Sequence, residues 1–194
     1  MASPAAFDRL GVFARPGFLP AAECAALSRT MDVARWVPGT VSKVEHDETL
    51  DEAVRKVRCV DVGLTAATSL RDRLCAIQGE LAAFFGETLV ACDGPNFLAY
   101  DVGSFYTPHR DNGARYQERR VSAVLFLNSG EYTGGELTFH GLLSDGPWAH
   151  CPLPLDATAG LLVAFSSGVR HEVRPVRSGR RYTAAAWFTG RAAA

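Results

Sequence analysis

Phe105-Tyr106-Thr107-Pro108-His109-Arg110-Asp111 is the stretch on which the reading of this chain turns. Pro108 pushes the residue before it to extended geometry, and its own ring blocks a helix. A strand is expected, and in a strand alternate side chains share a face. His109 and Asp111 then point the same way, and Arg110 points the other.

Working outward, the helical period disappears from Leu89 onward. Short runs follow at regular spacing: Phe97–Val102, Val121–Leu127, Glu136–Phe139, Leu161–Phe165, Val169–Val173 and Tyr182–Phe188. Gly, Pro, Asn and Asp punctuate them, the pattern of a β-sandwich or barrel. Upstream, Phe18-Leu19-Pro20 opens a helix in which Cys24, Leu27 and Met31 fall on one face. A second helix is expected from about Ala66 to Phe85, with Leu70, Leu74, Ile77, Leu81 and Phe84 as its apolar stripe. Caps are offered by Thr65 to Ser69, and Gly86 marks the stop. Between the helices the polar, acidic stretch Glu45–Glu52 is flanked by strand-like Val37–Val44 and Val57–Val62, which reads as a hairpin with a mobile tip. The expected class is α+β, mostly β: a double-stranded β-helix (jelly-roll) core with amino-terminal supporting helices. One domain spans 1–194, with a helical and hairpin support region over 1–88 and a jelly-roll core over 89–190.

Composition narrows the function classes. Of 194 residues, 47% are hydrophobic and 21% charged, as in an ordinary soluble globular protein. The net charge of -1 argues against a surface built for nucleic acid. Cys24, Cys59, Cys75, Cys92 and Cys151 are odd in number and scattered, with no C-x-x-C pair. Buried or free thiols in a reducing compartment are expected, and a zinc–cysteine site has little support. No stretch approaches the roughly 20 apolar residues that cross a bilayer. The start lacks a basic region and apolar core of the secretory kind, so no membrane association and a cytoplasmic location are the expectation.

Four residues carry candidate chemistry. His109, Asp111 and His171 offer two imidazoles and a carboxylate, the set with which non-haem iron(II) is held while several coordination positions stay open. Arg181, ten residues after His171, supplies a planar fork that holds a carboxylate through two charge-assisted hydrogen bonds. An H-x-D pair alone is weak: His109 as a surface residue and His171 as a core histidine bonded to Glu172 are the bland alternatives. His46, His140 and His150 read as solvated loop residues.

Order and context raise the specificity. Tyr100-Asp101-Val102-Gly103-Ser104-Phe105-Tyr106-Thr107-Pro108-His109-Arg110-Asp111 resembles the Y-x-x-G-x-x-Y-x-x-H-x-D run of the prolyl 4-hydroxylase branch of the iron(II)/2-oxoglutarate dioxygenases. Leu125–Asn128 followed by Gly134–Phe139 looks like that family's strand and Gly-Gly-Glu turn. Ala159–Phe165, His171–Val176, Gly179 and Arg181 match G-x-x-x-x-F, H-x-V-x-P-V and G-x-R in order and spacing. The motif-bearing resemblance covers about Phe97 to Phe188, and Gly17-Phe18-Leu19-Pro20 with Cys24 is similar to the family's opening helix.

The resemblance implies His109, Asp111 and His171 as iron ligands and catalytic residues, Arg181 as the grip on the distal carboxylate of 2-oxoglutarate, and Tyr100 as a second cosubstrate contact. Arg180 is expected on the opposite face of the same strand. It further implies Fe(II), 2-oxoglutarate, dioxygen and ascorbate (vitamin C) as reductant, with an unactivated C–H bond hydroxylated and succinate and carbon dioxide released. Phe126 stands where many relatives have a tyrosine. Asp111, where halogenases carry a small residue, favours hydroxylation. The branch points to a peptide or protein proline as substrate, with a free amino acid or small metabolite as the alternative. The Glu45–Glu52 hairpin is similar to the loop that covers a peptide in that branch, and Arg110, Arg115, Arg119 and Arg120 could rim the entrance. Trp148, in the 141–152 loop, reads as a substrate wall or as that loop's anchor. The competing class is a non-catalytic or cupin-type metal-binding jelly roll. A cupin would bring two closely spaced histidines and a glutamate on one motif, which this chain lacks. The sequence gives no oligomeric state.

Overall fold

The structure, a computed structural model, describes residues 7–43, 46–113, 115–143, 151–155 and 157–191, without the side chains of 42–47. His150, Trp148, most of the 141–152 loop and the last three residues lie outside it.

Two sheets face each other. The larger has seven strands in the order β1 (Phe13–Arg15), β13 (Leu162–Ser166), β9 (Arg119–Phe126), β16 (Arg181–Gly190), β7 (Leu89–Tyr100), β6 (Arg58–Val60) and β2 (Trp36–Pro38). The smaller has five: β12 (Leu153–Pro154), β11 (Leu137–His140), β14 (Arg170–Val173), β8 (Phe105–His109) and β5 (Arg55–Lys56). Two-stranded pairs β3 (Val41–Lys43) with β4 (His46–Thr49), and β10 (Tyr132–Gly134) with β15 (Val176–Gly179), complete the set. Helices α1 (Ala21–Val33), α2 (Leu64–Ala76) and α3 (Gln78–Phe85) supply apolar residues that share one core with the larger sheet.

Period-2 alternation sorts the larger sheet's side chains between helices and interior. Val121, Ala123 and Leu125 of β9, and Tyr182, Ala184, Ala186 and Phe188 of β16, join the helix-side core with Leu70, Leu74 and Leu81. Phe126, Val163 and Phe165 turn inward and pack with Leu137 and Phe139 of the smaller sheet. In β16 the inward set is Arg181, Thr183, Ala185 and Trp187, all of which line the cavity described below. Arg180 points to the helix side, where its guanidinium bonds Asp101 at 2.5 Å and Asp32 of α1 at 2.9 Å. The register there is pinned by buried Asn128: its Nδ2 donates to the Arg180 carbonyl at 2.8 Å, and its Oδ1 accepts from the Tyr182 amide at 2.8 Å.

Three expectations need correction. The helix expected over 66–85 is two helices, broken at Ile77 (φ -99°, ψ 3°), which ends α2 and begins α3. The expected side-chain caps at Thr65–Ser69 do not form: Gly63, at φ +82°, precedes the first turn, and no side chain caps it. The expected hairpin is present, with Trp36–Pro38 paired to Arg58–Val60, but its tip is not all loop, because His46–Thr49 pairs with Val41–Lys43 as a strand. Gly86, in the left-handed region at φ +65°, ends α3 as expected. No disulfide links the five cysteines. No helix among the described residues is long and apolar enough to cross a membrane.

Candidate metal and cosubstrate site

His109 and His171 are direct cross-strand partners in the β8–β14 pair, so their rings meet with centroids 4.2 Å apart. Asp111 does not continue the strand as its spacing suggested. β8 ends at His109, and Asp111 sits in the turn beyond, its amide bonded to the Ser167 carbonyl at 3.0 Å. Its carboxylate still reaches the same point: one ligand atom from each of His109, Asp111 and His171 lies within 4.8 Å of the others.

The histidine tautomers follow from the backbone. Nδ1 of His109 lies 2.8 Å from the Thr107 carbonyl, and Nδ1 of His171 lies 3.0 Å from that of Val169. A carbonyl only accepts, so both Nδ1 atoms carry a proton, and in the neutral imidazole that leaves the lone pair on Nε2. These stand 3.4 and 3.6 Å from the Asp111 oxygens. Two lone pairs and a carboxylate facing one another across such gaps suit a cation between them. Burial pushes His171 down to about 4, so its imidazole is neutral at pH 7, although Asp111 pulls the other way. Burial opposes ionisation of Asp111, but the His171 and His109 rings and the Ser122 hydroxyl outweigh it and hold the carboxyl below the usual range. His171 as the neutral imidazole and Asp111 as the carboxylate are the forms that bind a metal. Tyr106 stacks on His109 with centroids 3.5 Å apart, and Phe165 meets His171 edge-on at 4.7 Å, which fixes both rings.

Behind the trio, Arg181 is 1% exposed. Its Nη1 reaches Thr183 Oγ1 only at 3.4 Å, and its Nε and Nη2 have no hydrogen-bond partner among the described residues. The guanidinium carbon lies 5.0 Å from the Tyr100 ring centre and 5.1 Å from that of Phe126. An unpaired buried cation is costly unless an anion completes it. A narrow cavity of about 50 Å³ is lined by His109, Asp111, His171, Arg181, Tyr100 and Thr183, among others. It shares Arg55, Tyr106, Asp111 and Trp187 with an outer cleft of about 380 Å³. The two unpartnered nitrogens and the donor trio therefore fit a ligand that chelates a metal at one end and carries a carboxylate at the other.

All five residues singled out from the sequence meet at this cavity. Of the arginine run, Arg110, Arg115 and Arg119 line the outer cleft, whereas Arg120 does not. His140 is no loop residue: it lies in β11, 3.2 Å from Glu172, which leaves His171 free to face Asp111. The backbone of His46 lies in β4. Sequence reasoning missed Arg55, stacked over the Tyr106 ring at 4.9 Å, and the pair Ser122 and Ser167 behind Asp111. Thr183 was within reach, because alternation from Arg181 puts it on the same face.

A jelly roll with this donor set at one mouth defines a mononuclear non-haem metal oxygenase. Sequence and structure comparisons specify it further. The profile of the 2OG-Fe(II) oxygenase superfamily matches residues 95–189. A PKHD-type hydroxylase from Stenotrophomonas maltophilia (strain R551-3) is 30% identical over 186 residues, covering 89% of this chain and 75% of that protein. The crystal structure of a prolyl-4-hydroxylase from Pseudomonas putida superposes with a TM-score of 0.73 at 28% identity, covering 94% of each chain. A prolyl hydroxylase from Trichoplax adhaerens shares the fold at TM-score 0.72 and 16% identity, covering 95% of this chain and 86% of that one. The chain belongs to the 2OG-Fe(II) oxygenase superfamily, in its prolyl 4-hydroxylase-like branch. It is a 2-oxoglutarate-dependent dioxygenase, and membership implies Fe(II), 2-oxoglutarate and dioxygen.

Proposed function

We propose that this enzyme hydroxylates a proline in a peptide or protein, with His109, Asp111 and His171 holding iron and Arg181 and Tyr100 holding 2-oxoglutarate. The observation that carries the cosubstrate assignment is Arg181, buried with two donors unmet among the described residues, behind the three converged candidate donors. Bound iron, 2-oxoglutarate and dioxygen together supply the oxidant that replaces a C–H hydrogen by hydroxyl, with succinate and carbon dioxide as coproducts. The residues of the chain bind and orient. Arg181 takes the distal carboxylate in a bidentate grip, and Tyr100 and Phe126 flank that grip on either side. His109 and His171 keep their tautomers through Thr107 and Val169, so their Nε2 atoms stay directed at the metal position. Leu98, Leu137, Val173 and Trp187 make the cavity wall apolar and limit water around the reacting carbon.

A peptide substrate is supported by the outer cleft of about 380 Å³, whose lining includes Val37, Thr40, Glu48, Arg110 and Arg119. The names of the relatives support it too, one of them a prolyl hydroxylase in complex with a peptide fragment of hypoxia inducible factor. Ascorbate would keep the iron ferrous, and the thiol pattern suits a reducing cytoplasm. The test is mass spectrometry of a proline-containing peptide library after incubation with Fe(II), 2-oxoglutarate and air. The expected result is a gain of one oxygen on proline, matched by succinate. A library left untouched while a free amino acid gains the oxygen would replace this reading.

A further inference from the structure

Two serines stand behind Asp111. Ser122 lies in β9 and Ser167 just beyond β13, and they are 1% and 0% exposed. Ser122 Oγ is 2.6 Å from Asp111 Oδ2, and the two serine oxygens are 2.9 Å apart. Direction follows from counting protons. An ionised carboxylate only accepts, so the single hydroxyl proton of Ser122 goes to Asp111, and Ser167 must donate to Ser122. Each bond in such a chain polarises the next. The backbone runs parallel to it: the Ser167 carbonyl accepts from the amides of Asp111 at 3.0 Å and Asn112 at 3.3 Å, while the Ser167 amide donates to Arg120 O at 2.9 Å.

This arrangement bridges the sheets. Both histidines ride on the smaller sheet, whereas Ser122 lies in a strand of the larger one and Ser167 directly follows another. Asp111, in a turn past the end of β8, is the donor least fixed by its own strand. Its oxygens also have a choice: Oδ1 is 3.4 Å from His109 Nε2 and Oδ2 is 3.6 Å from His171 Nε2, so either or both could reach a metal between them. Ser122 occupies Oδ2.

We propose that Ser167 and Ser122 are positioning residues that restrict Asp111 to coordination through Oδ1 alone, preserving the position that Oδ2 would otherwise take. Two imidazoles, one carboxylate oxygen and two atoms of 2-oxoglutarate would fill five positions of a six-coordinate metal and leave one. A two-oxygen Asp111 would fill it. The inference rests on Asp111 being a metal ligand, as proposed above.

The test counts the open position without using turnover. Full-length protein is loaded anaerobically with Fe(II) and 2-oxoglutarate and titrated with nitric oxide, read by the electron paramagnetic resonance signal of the adduct. The parent binds nitric oxide. Ser122→Ala is expected to bind Fe(II) but to lose about tenfold or more in nitric oxide affinity, in the range typical of groups that orient metal ligands. Ser122→Thr, which keeps the hydroxyl, restores it. Ser167→Ala keeps the contact with Asp111 and falls between, and it serves as the variant of record should Ser122→Ala not fold. Parent-like nitric oxide binding in Ser122→Ala, failure of Ser122→Thr to restore it, or loss of Fe(II) from Ser122→Ala each overturns the proposal, as does a parent-like Ser167→Ala for the role of Ser167. Asp111→Ala separates the two levels: parent-like Fe(II) binding in that variant removes the ligand assignment itself.

Discussion

Arg181→Met should have opposite effects on cosubstrate binding and on the stability of the empty protein. The guanidinium is 1% exposed, with Nε and Nη2 unpartnered among the described residues, so the ligand-free chain carries an incompletely satisfied buried cation. Removing one partner of a buried, hydrogen-bonded charge pair costs about 2–5 kcal/mol. At about 1.4 kcal/mol per tenfold, the affinity for 2-oxoglutarate should fall by roughly one and a half to three and a half orders of magnitude. The ligand-free protein should respond the other way. Methionine fills much of the same volume and removes unmet donors that cost about 1–3 kcal/mol. The rings of Tyr100 and Phe126, 5.0 and 5.1 Å from the guanidinium carbon, lose cation–π contacts that offset part of this gain. The net is a variant that melts no lower than the parent, by thermal unfolding without metal or cosubstrate. With Fe(II) present and 2-oxoglutarate at about 100 times its dissociation constant, the parent gains about 2.7 kcal/mol. In a chain of this length that is roughly 5–10 °C in Tm, and Arg181→Met should gain almost none of it. Fe(II) affinity should stay near that of the parent, since the proposed metal donors His109, Asp111 and His171 are untouched. A variant that melts several degrees lower yet keeps parental cosubstrate affinity would refute the assignment and place a structural partner on Arg181.

Asp111→Ala should abolish Fe(II) binding and with it the weak visible absorption of the anaerobic Fe(II)–2-oxoglutarate complex; a persisting band would move the ligand elsewhere. Gly135→Ala should weaken 2-oxoglutarate binding and destabilise the fold by about 1–3 kcal/mol. At φ +67° its new Cβ would lie 2.9 Å from Arg181 Cδ and 2.9 Å from Val176 Cγ2. Gly79→Ala, in α3 with nothing within 4 Å, should instead stabilise by about 0.5–1 kcal/mol in denaturant titration. Burial, with Cys75 beside it, pushes the Cys92 thiol up to about 12 from the ordinary 9.0. At pH 8 a thiol reagent should label exposed Cys75 and Cys151 first and Cys92 only on unfolding. Because the folded chain holds that proton longer, the contribution of Cys92 to stability is intact below about pH 9 and lost as pH rises toward 12, and Cys92→Ala should flatten this alkaline decline in Tm.

The jelly-roll strands were legible because their alternation is strict where both faces are occupied. Residues 105–109 form β8 as expected, and β16 begins one residue early and ends two late relative to Tyr182–Phe188. The first half of β7 was not legible. Its Asp93-Gly94-Pro95 interrupts the pattern, and the strand accommodates it as an irregularity in register opposite Ala185 and Trp187. The break at Ile77 escaped notice for the opposite reason: Leu74, Ile77 and Leu81 are all buried on either side of it, so the apolar stripe runs on uninterrupted. At the site, residues with a chemical signature in fixed order could be read from the sequence. Ser122, Ser167 and Arg55 could not, because their relevance is a meeting between strands far apart in the chain, and a serine in an apolar run announces no partner.

Asn128 shows how little separates a working pocket from an empty one. Arg180 and Arg181 are chemically identical neighbours, and only the parity of the strand decides which one faces the cavity and which one faces Asp32. A slip of a single residue would exchange them and invert every other side chain along the strand. The carboxamide that clasps the main chain on both sides of Arg181 acts as an index mark for the whole ribbon. Anyone grafting this pocket onto another sheet would need to carry that asparagine along with the arginine it sets.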